Sequence, residues 1–191
     1  QRGLIPSETE AAHVDPDFIK QALNGYDGGT GAISVHRESA QTATDTVNRA
    51  SKRGMDVVTQ GTGTRLNDYN TTNDPRYQTI AHAAYVDPEI AQERLNAREK
   101  IDGRRIAGHI LPHIASVSYN MMTQYLKNKQ IGSFFLWDND VPFGAAPKLI
   151  AKVENGVFVV NDEEKFKLWS TGGRQTPQGA KNLEYYKRKW P

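Results

Sequence analysis

Val14-Asp15-Pro16-Asp17-Phe18-Ile19-Lys20-Gln21-Ala22-Leu23-Asn24 has a counterpart further along the chain, Val86-Asp87-Pro88-Glu89-Ile90-Ala91-Gln92-Glu93-Arg94-Leu95-Asn96. In each, an apolar, strand-like run stops at Asp-Pro. Asp is a good helix N-cap, because its carboxylate accepts from backbone N–H groups that the first turn leaves unpartnered. Pro suits the first helical position, where an N–H is not needed. Both stretches read as strand-to-helix junctions obeying one capping rule, rather than as a true repeat.

Working outward, residues 11–14 form the strand before the first junction and residues 16–23 the helix after it. Residues 24–32 are a loop rich in glycine, with Gly25, Gly28, Gly29 and Gly31. Ala40, Ala43, Val47 and Ala50 then make one stripe, which predicts an amphipathic helix over 37–53 that stops at Gly54. Residues 55–59 read as a buried strand centred on Val57 and Val58. Residues 79–86 are the strand before the second junction. A longer helix is predicted after Pro112, with Ile114, Val117, Met121 and Tyr125 on one face and Gly132 as its stop. Residues 133–137 are aromatic and apolar, hence a strand. Residues 148–153 and 157–160 flank Glu154-Asn155-Gly156, and Asn-Gly between apolar runs signals a hairpin. From Thr171 the chain turns polar, and a docked C-terminal helix is the simpler reading beside a partner-binding tail.

Alternation of strands and helices predicts an α/β fold with a mostly parallel sheet and helices on both faces. The chain is expected to be a single domain over 1–191, with a core over about 11–170 and a C-terminal extension over 171–191. Ligands in such folds sit at the carboxyl ends of strands. That singles out Asp15 and Asp17, residues 61–64, Asp87, and residues 138–140.

The 191 residues are 37% hydrophobic and 24% charged, values of a globular rather than a disordered chain. A formal net charge of +2 is a weaker basic bias than binding driven by nucleic-acid phosphates usually shows, which disfavours that class and leaves the basic tail as its one candidate segment. The absence of cysteine removes disulfides, thiolate zinc sites and a Cys nucleophile, and fits a reducing, cytoplasmic setting. No apolar run approaches the ~20 residues of a membrane span. The chain starts at Gln1 without a signal-type apolar segment and without Met, and it is expected to be part of a longer protein.

Four groups of residues can carry chemistry. Asp17, in the first turn after Asp15, either complements the helix dipole or takes a proton from a substrate hydroxyl. Gln60-Gly61-Thr62-Gly63-Thr64 follows a strand, where glycines admit a ligand and hydroxyls bind phosphate or ribose; the plainer reading is a turn. Arg94 and Arg98 share a helical face, and Gly103-Arg104-Arg105 follows; together they suit a phosphate clamp or a solvated face paired with Glu93 and Glu99. His36 and Glu38 open a helix where a substrate pocket can begin, though a polar helix start explains them too. His109 and His113 have zinc-site spacing, but Pro112 lies inside the pair and the Glu of H-E-x-x-H is missing, so no metal site is expected.

In order and spacing these pieces resemble the zeta-toxin family of kinases. The matching elements are VDPD at 14–17, VHRES at 35–39, TQGTG at 59–63, ERLNAR at 93–98 and GRR at 103–105. The match runs from about Ala11 to about Ser133, and no single motif is specific by itself. The resemblance implies a phosphotransferase of the P-loop kinase type using ATP and Mg²⁺. Asp17 would be the general base. Gly61, Thr62, His36 and Glu38 would hold the substrate. Arg98, Arg104 and Arg94 would contact the ATP phosphates. Family members phosphorylate a hydroxyl of a nucleotide-type substrate, UDP-N-acetylglucosamine for zeta toxins and NAD for a related branch of bacterial avirulence effectors. Many are toxins held by an antitoxin or chaperone protein, and an effector would work inside a host cell.

Two departures stand out. Gln60 occupies the place of the family's acidic residue before GTG. The Walker A loop, G-x-x-x-x-G-K-[ST], has no counterpart in the chain, which contains no Gly-Lys pair. That loop and the first strand are expected N-terminal to Gln1. The alternative is a non-catalytic kinase-like module that binds a nucleotide or a partner protein.

Overall fold

The computed structural model describes residues 11–26, 34–61, 71, 73–102, 110–142 and 144–191, with backbone alone at 102 and 110–116. The chain divides into two compact units. The first comprises Gln1–Tyr77 and Asn96–Arg105, the second Gln78–Leu95 and Ile106–Pro191.

In the first unit, β1 (Ala12–Val14) and β2 (Val57–Thr59) pair in parallel, with Val14 opposite Thr59. α1 (Pro16–Gln21) begins as its sequence predicts. The Asp15 side chain accepts from the Asp17 N–H at 2.7 Å, and Pro16 takes the first helical position. α2 (His36–Lys52) buries Ala43, Val47 and Ala50, three residues of the predicted stripe. Val14, Ala43 and Val47 form a small core, against which Ile19 and Val57 pack. Ser39 and Ser51 are also buried in α2, and their hydroxyls bond back to the carbonyls of His36 and Asn48. Gly54, at φ +74°, ends the helix, and Tyr77 places its hydroxyl between the carbonyls of Ser51 (2.9 Å) and Met55 (3.0 Å).

The second unit is built on a four-stranded sheet in the order β3 (Ile80–Tyr85), β4 (Ser133–Asp138), β5 (Lys148–Glu154), β6 (Val157–Val160). Only the β3–β4 pairing is parallel; β4–β5 and β5–β6 are antiparallel. The expected mostly parallel sheet is therefore corrected to a mixed one. The cause lies in the connections. A parallel return needs a crossover of a dozen residues or more, whereas residues 139–147 are too few to make one. Asn155 (φ 53°) and Gly156 (φ 78°) then close the tight β5–β6 hairpin that the sequence signals.

α3 (Pro88–Asp102) follows β3, and the Asp87 carboxylate accepts from the Glu89 N–H at 2.9 Å. α4 (Ile110–Lys127) starts before Pro112 rather than after it. Pro is tolerated there because the first helical turn has N–H groups without partners in any case. α5 (Glu163–Ser170) is capped by Asp162, and α6 (Pro177–Lys189) is the predicted C-terminal helix. Phe134, Leu136, Ile150, Ala151 and Val153 of the sheet are buried, as are Phe166, Trp169, Leu183 and Tyr186 of the two helices. Tyr186 lies 5.1 Å from Phe166 and 4.7 Å from Trp190, ring centre to ring centre. The Phe158 N–H donates to the Trp190 carbonyl at 2.9 Å, so the C-terminal segment is docked into this core. No described helix is long and apolar enough to cross a membrane.

Candidate functional site

The first unit brings two of the singled-out segments to one edge. Asp15-Pro16-Asp17 follows the last residue of β1, and Gln60-Gly61 follows the last residue of β2. Because Val14 and Thr59 are direct partners in a parallel ladder, both segments leave the sheet at the same end. α2 feeds β2 and packs on β1 through Ala43 and Val47, so it runs against the strands. Its first residues, His36 and Glu38, are exposed.

Asp17 is half exposed, at 48%, and its carboxylate accepts from Lys20 Nζ at 2.9 Å. The Lys20 ammonium is the more buried partner. The neighbouring Phe18 ring is largely exposed. At the end of β2 the Thr59 hydroxyl is buried and has no hydrogen-bond partner. Gly61 has open space where a side chain would project. Thr62 and Arg104, together with Gly63, Thr64, Gly103, Arg105 and His109, lie outside the described residues, as does most of the glycine-rich loop.

The predicted arginine pair is divided between the two units. Arg98 is exposed on α3 and belongs to the first. Arg94 belongs to the second, where its guanidinium donates to the carbonyls of Asn139 (2.9 Å) and Val141 (3.2 Å).

The second unit has its own polar cluster where the parallel strands β3 and β4 end. Tyr85 and Asp138 are cross-strand partners and both are buried. Asp138 accepts from Lys165 Nζ at 2.7 Å and from the Asp140 N–H at 3.0 Å. Burial alone would raise the Asp138 carboxyl; the Lys165 hydrogen bond and the Asp140 N–H outweigh burial and hold it below its ordinary value. Lys165 also reaches Asp140 at 3.3 Å, and Asp140 in turn accepts from the Asp87 N–H at 3.0 Å. Burial would lower the Lys165 ammonium, but its bonds to the two carboxylates raise it. The Tyr85 hydroxyl has no partner, and it is pushed up to about 12 by burial and then by the nearby carboxylates of Asp87, Asp140 and Asp138. It stays protonated across the physiological range.

Sequence reasoning marked Asp87 and residues 138–140 but missed Lys165. A lysine 25 residues away from Asp140 leaves no local signature. The only available hint was a pair of acidic residues at a strand end, which needs a cation once buried. Among the described residues no group of three or more His, Asp or Glu side chains can hold a metal ion. No family model, curated protein or solved structure matches this chain.

Proposed function

We propose that the chain is the larger part of an ATP-dependent phosphotransferase of the zeta-toxin type, acting on a hydroxyl of a nucleotide-type substrate such as UDP-N-acetylglucosamine or NAD. One observation carries the reading. Asp17 and Gly61 stand just beyond the ends of directly paired parallel strands, the place where α/β folds bind ligands. A two-strand parallel pair is common to many folds, so the ordered motifs supply the rest of the support.

The step is an in-line displacement. The substrate hydroxyl oxygen forms a bond to the γ-phosphorus of ATP, the bond from that phosphorus to the β,γ-bridging oxygen breaks, and ADP leaves. The hydroxyl proton passes to the Asp17 carboxylate. Gly61, Thr62, His36 and Glu38 hold the acceptor. Arg98 and Arg104 offset charge on the transferring group, as guanidinium groups do where phosphoryl oxygens gather charge.

The test uses the full-length protein with ATP and a panel of nucleotides, with the phosphorylated product identified by mass spectrometry. Transfer is expected, and Asp17→Asn should abolish it while ATP binding persists. An unchanged rate in Asp17→Asn removes Asp17 from its role. ATP binding with no transfer to any acceptor points instead to a non-catalytic kinase-like module.

A further inference from the structure

Arg94 was expected on phosphate, but its hydrogen bonds tie it elsewhere. Two of its N–H groups are held by the carbonyls of Asn139 and Val141, both in the turn that follows β4. The same turn grips the head of α3. Asp140 accepts from the Asp87 N–H at 3.0 Å, and the Asn139 N–H donates to the Tyr85 carbonyl at 2.9 Å. α3 is thus fastened to this turn at its start and again at its second turn.

What holds the turn itself is Lys165. Asp138 and Asp140 are held close by the Asp140 N–H bond to the Asp138 carboxylate, and their like charges repel. Lys165 comes in from α5 and bonds to both, at 2.7 and 3.3 Å. Without an ammonium there, two carboxylates face each other where Asp138 has little access to water. The simplest relief is for Asp140 to swing away, which releases the Asp87 N–H and disturbs the carbonyls that hold Arg94.

We infer that Lys165 is a positioning residue for α3: through Asp138 and Asp140 it holds the turn 139–141, and that turn holds Arg94 and the first turns of the helix. Arg94 is then a tie between helix and turn rather than a phosphate ligand. α3 continues for one more turn to Arg98, so the inference also bears on the phosphotransferase reading, and in that respect rests on it.

The experiment compares the full-length protein with Lys165→Met and Lys165→Arg by hydrogen exchange and by kinetics. Amides of residues 87–95 should exchange faster in Lys165→Met and return toward the native rate in Lys165→Arg, with β5 and β6 unchanged in both. In the transfer assay, kcat/KM for ATP should fall on the order of tenfold or more in Lys165→Met, with the KM for the acceptor unchanged, because a misplacement of about 1 Å is enough for such a loss. Unchanged exchange over 87–95 overturns the inference. So does a uniform rise across the whole sheet, which marks a merely structural lysine. If the native protein transfers no phosphoryl group, the phosphotransferase reading falls, and the exchange pattern alone decides the role of Lys165.

Discussion

Gly173 and Gly156 share a backbone that L-residues avoid, with φ of +86° and +78°, yet their surroundings differ. A Cβ on Gly156 would meet nothing within 4 Å, whereas one on Gly173 would collide with Cγ of Pro88 and lie 2.7 Å from its Cδ. Proline is a rigid ring at the head of α3 and cannot fold out of the way. Gly156→Ala should therefore cost only left-handed strain, about 1 kcal/mol. Gly173→Ala should add overpacking, for a total of about 3 kcal/mol. Trp137, Trp169 and Trp190 all lie in the second unit, so tryptophan fluorescence in urea reads both variants on one probe. Equal losses would mean that the Gly173–Pro88 approach is looser than it stands here.

At the scale of elements, the link between α5 and β4 has a definite pH dependence. The Asp138 carboxyl is lowered in the folded chain, so its contribution is present above the unfolded value of about 3.9 and is lost as pH falls through the folded one. Lys165 is raised, so its share is present below about 10.4 and is lost only as pH climbs past its folded value. Stability of the second unit should therefore drop on the acid side, below about pH 4, and Asp138→Asn should flatten that part of the profile. Urea midpoints measured by tryptophan fluorescence across this range check it; an Asp138→Asn profile parallel to the native one refutes it. The same elements show what a sequence discloses. Asp15-Pro16 and Asp87-Pro88 were legible because capping is settled within a few residues, and Asn155-Gly156 because a tight hairpin needs positive φ at its turn. Strand direction was not, because alternating apolar runs look alike whichever way a strand enters the sheet. The direction of β5 is set instead by the short connection over 139–147, which leaves no room for a parallel crossover. Of the candidate site, the positions of Asp17 and Gly61 just beyond two strands were legible, because those strands and their ends were. Lys165, the orphaned Thr59 hydroxyl and the backbone ties of Arg94 depend on long-range contacts that no local pattern encodes.

At the scale of the molecule, the C-terminal segment tests how the second unit is built. Residues 171–191 were expected to be an extension, yet α6 contributes Leu183 and Tyr186 to the core, both nearly inaccessible. Tyr186 touches Phe158, Phe166 and Trp190 at ring separations of 5.3, 5.1 and 4.7 Å, and its hydroxyl lies 2.9 Å from that of Thr123 on α4. Because Thr123 already donates to the Tyr119 carbonyl, the Tyr186 hydroxyl is the donor in that pair. Burial raises the Tyr186 phenol, which keeps this proton in place. Ending the chain after Thr176 would thus remove Leu183 and Tyr186 from the core and uncover Phe158 and Phe166, against which Tyr186 packs. Each large side chain so exposed forfeits about 1.5–3 kcal/mol of burial, and a domain stable by only about 5–15 kcal/mol does not survive several such losses. The expected product binds hydrophobic dyes and loses its near-ultraviolet circular dichroism while keeping helical signal. A partner-binding tail would behave otherwise: the shortened chain would keep its native aromatic spectrum and urea midpoint, and that outcome would remove α6 from the core.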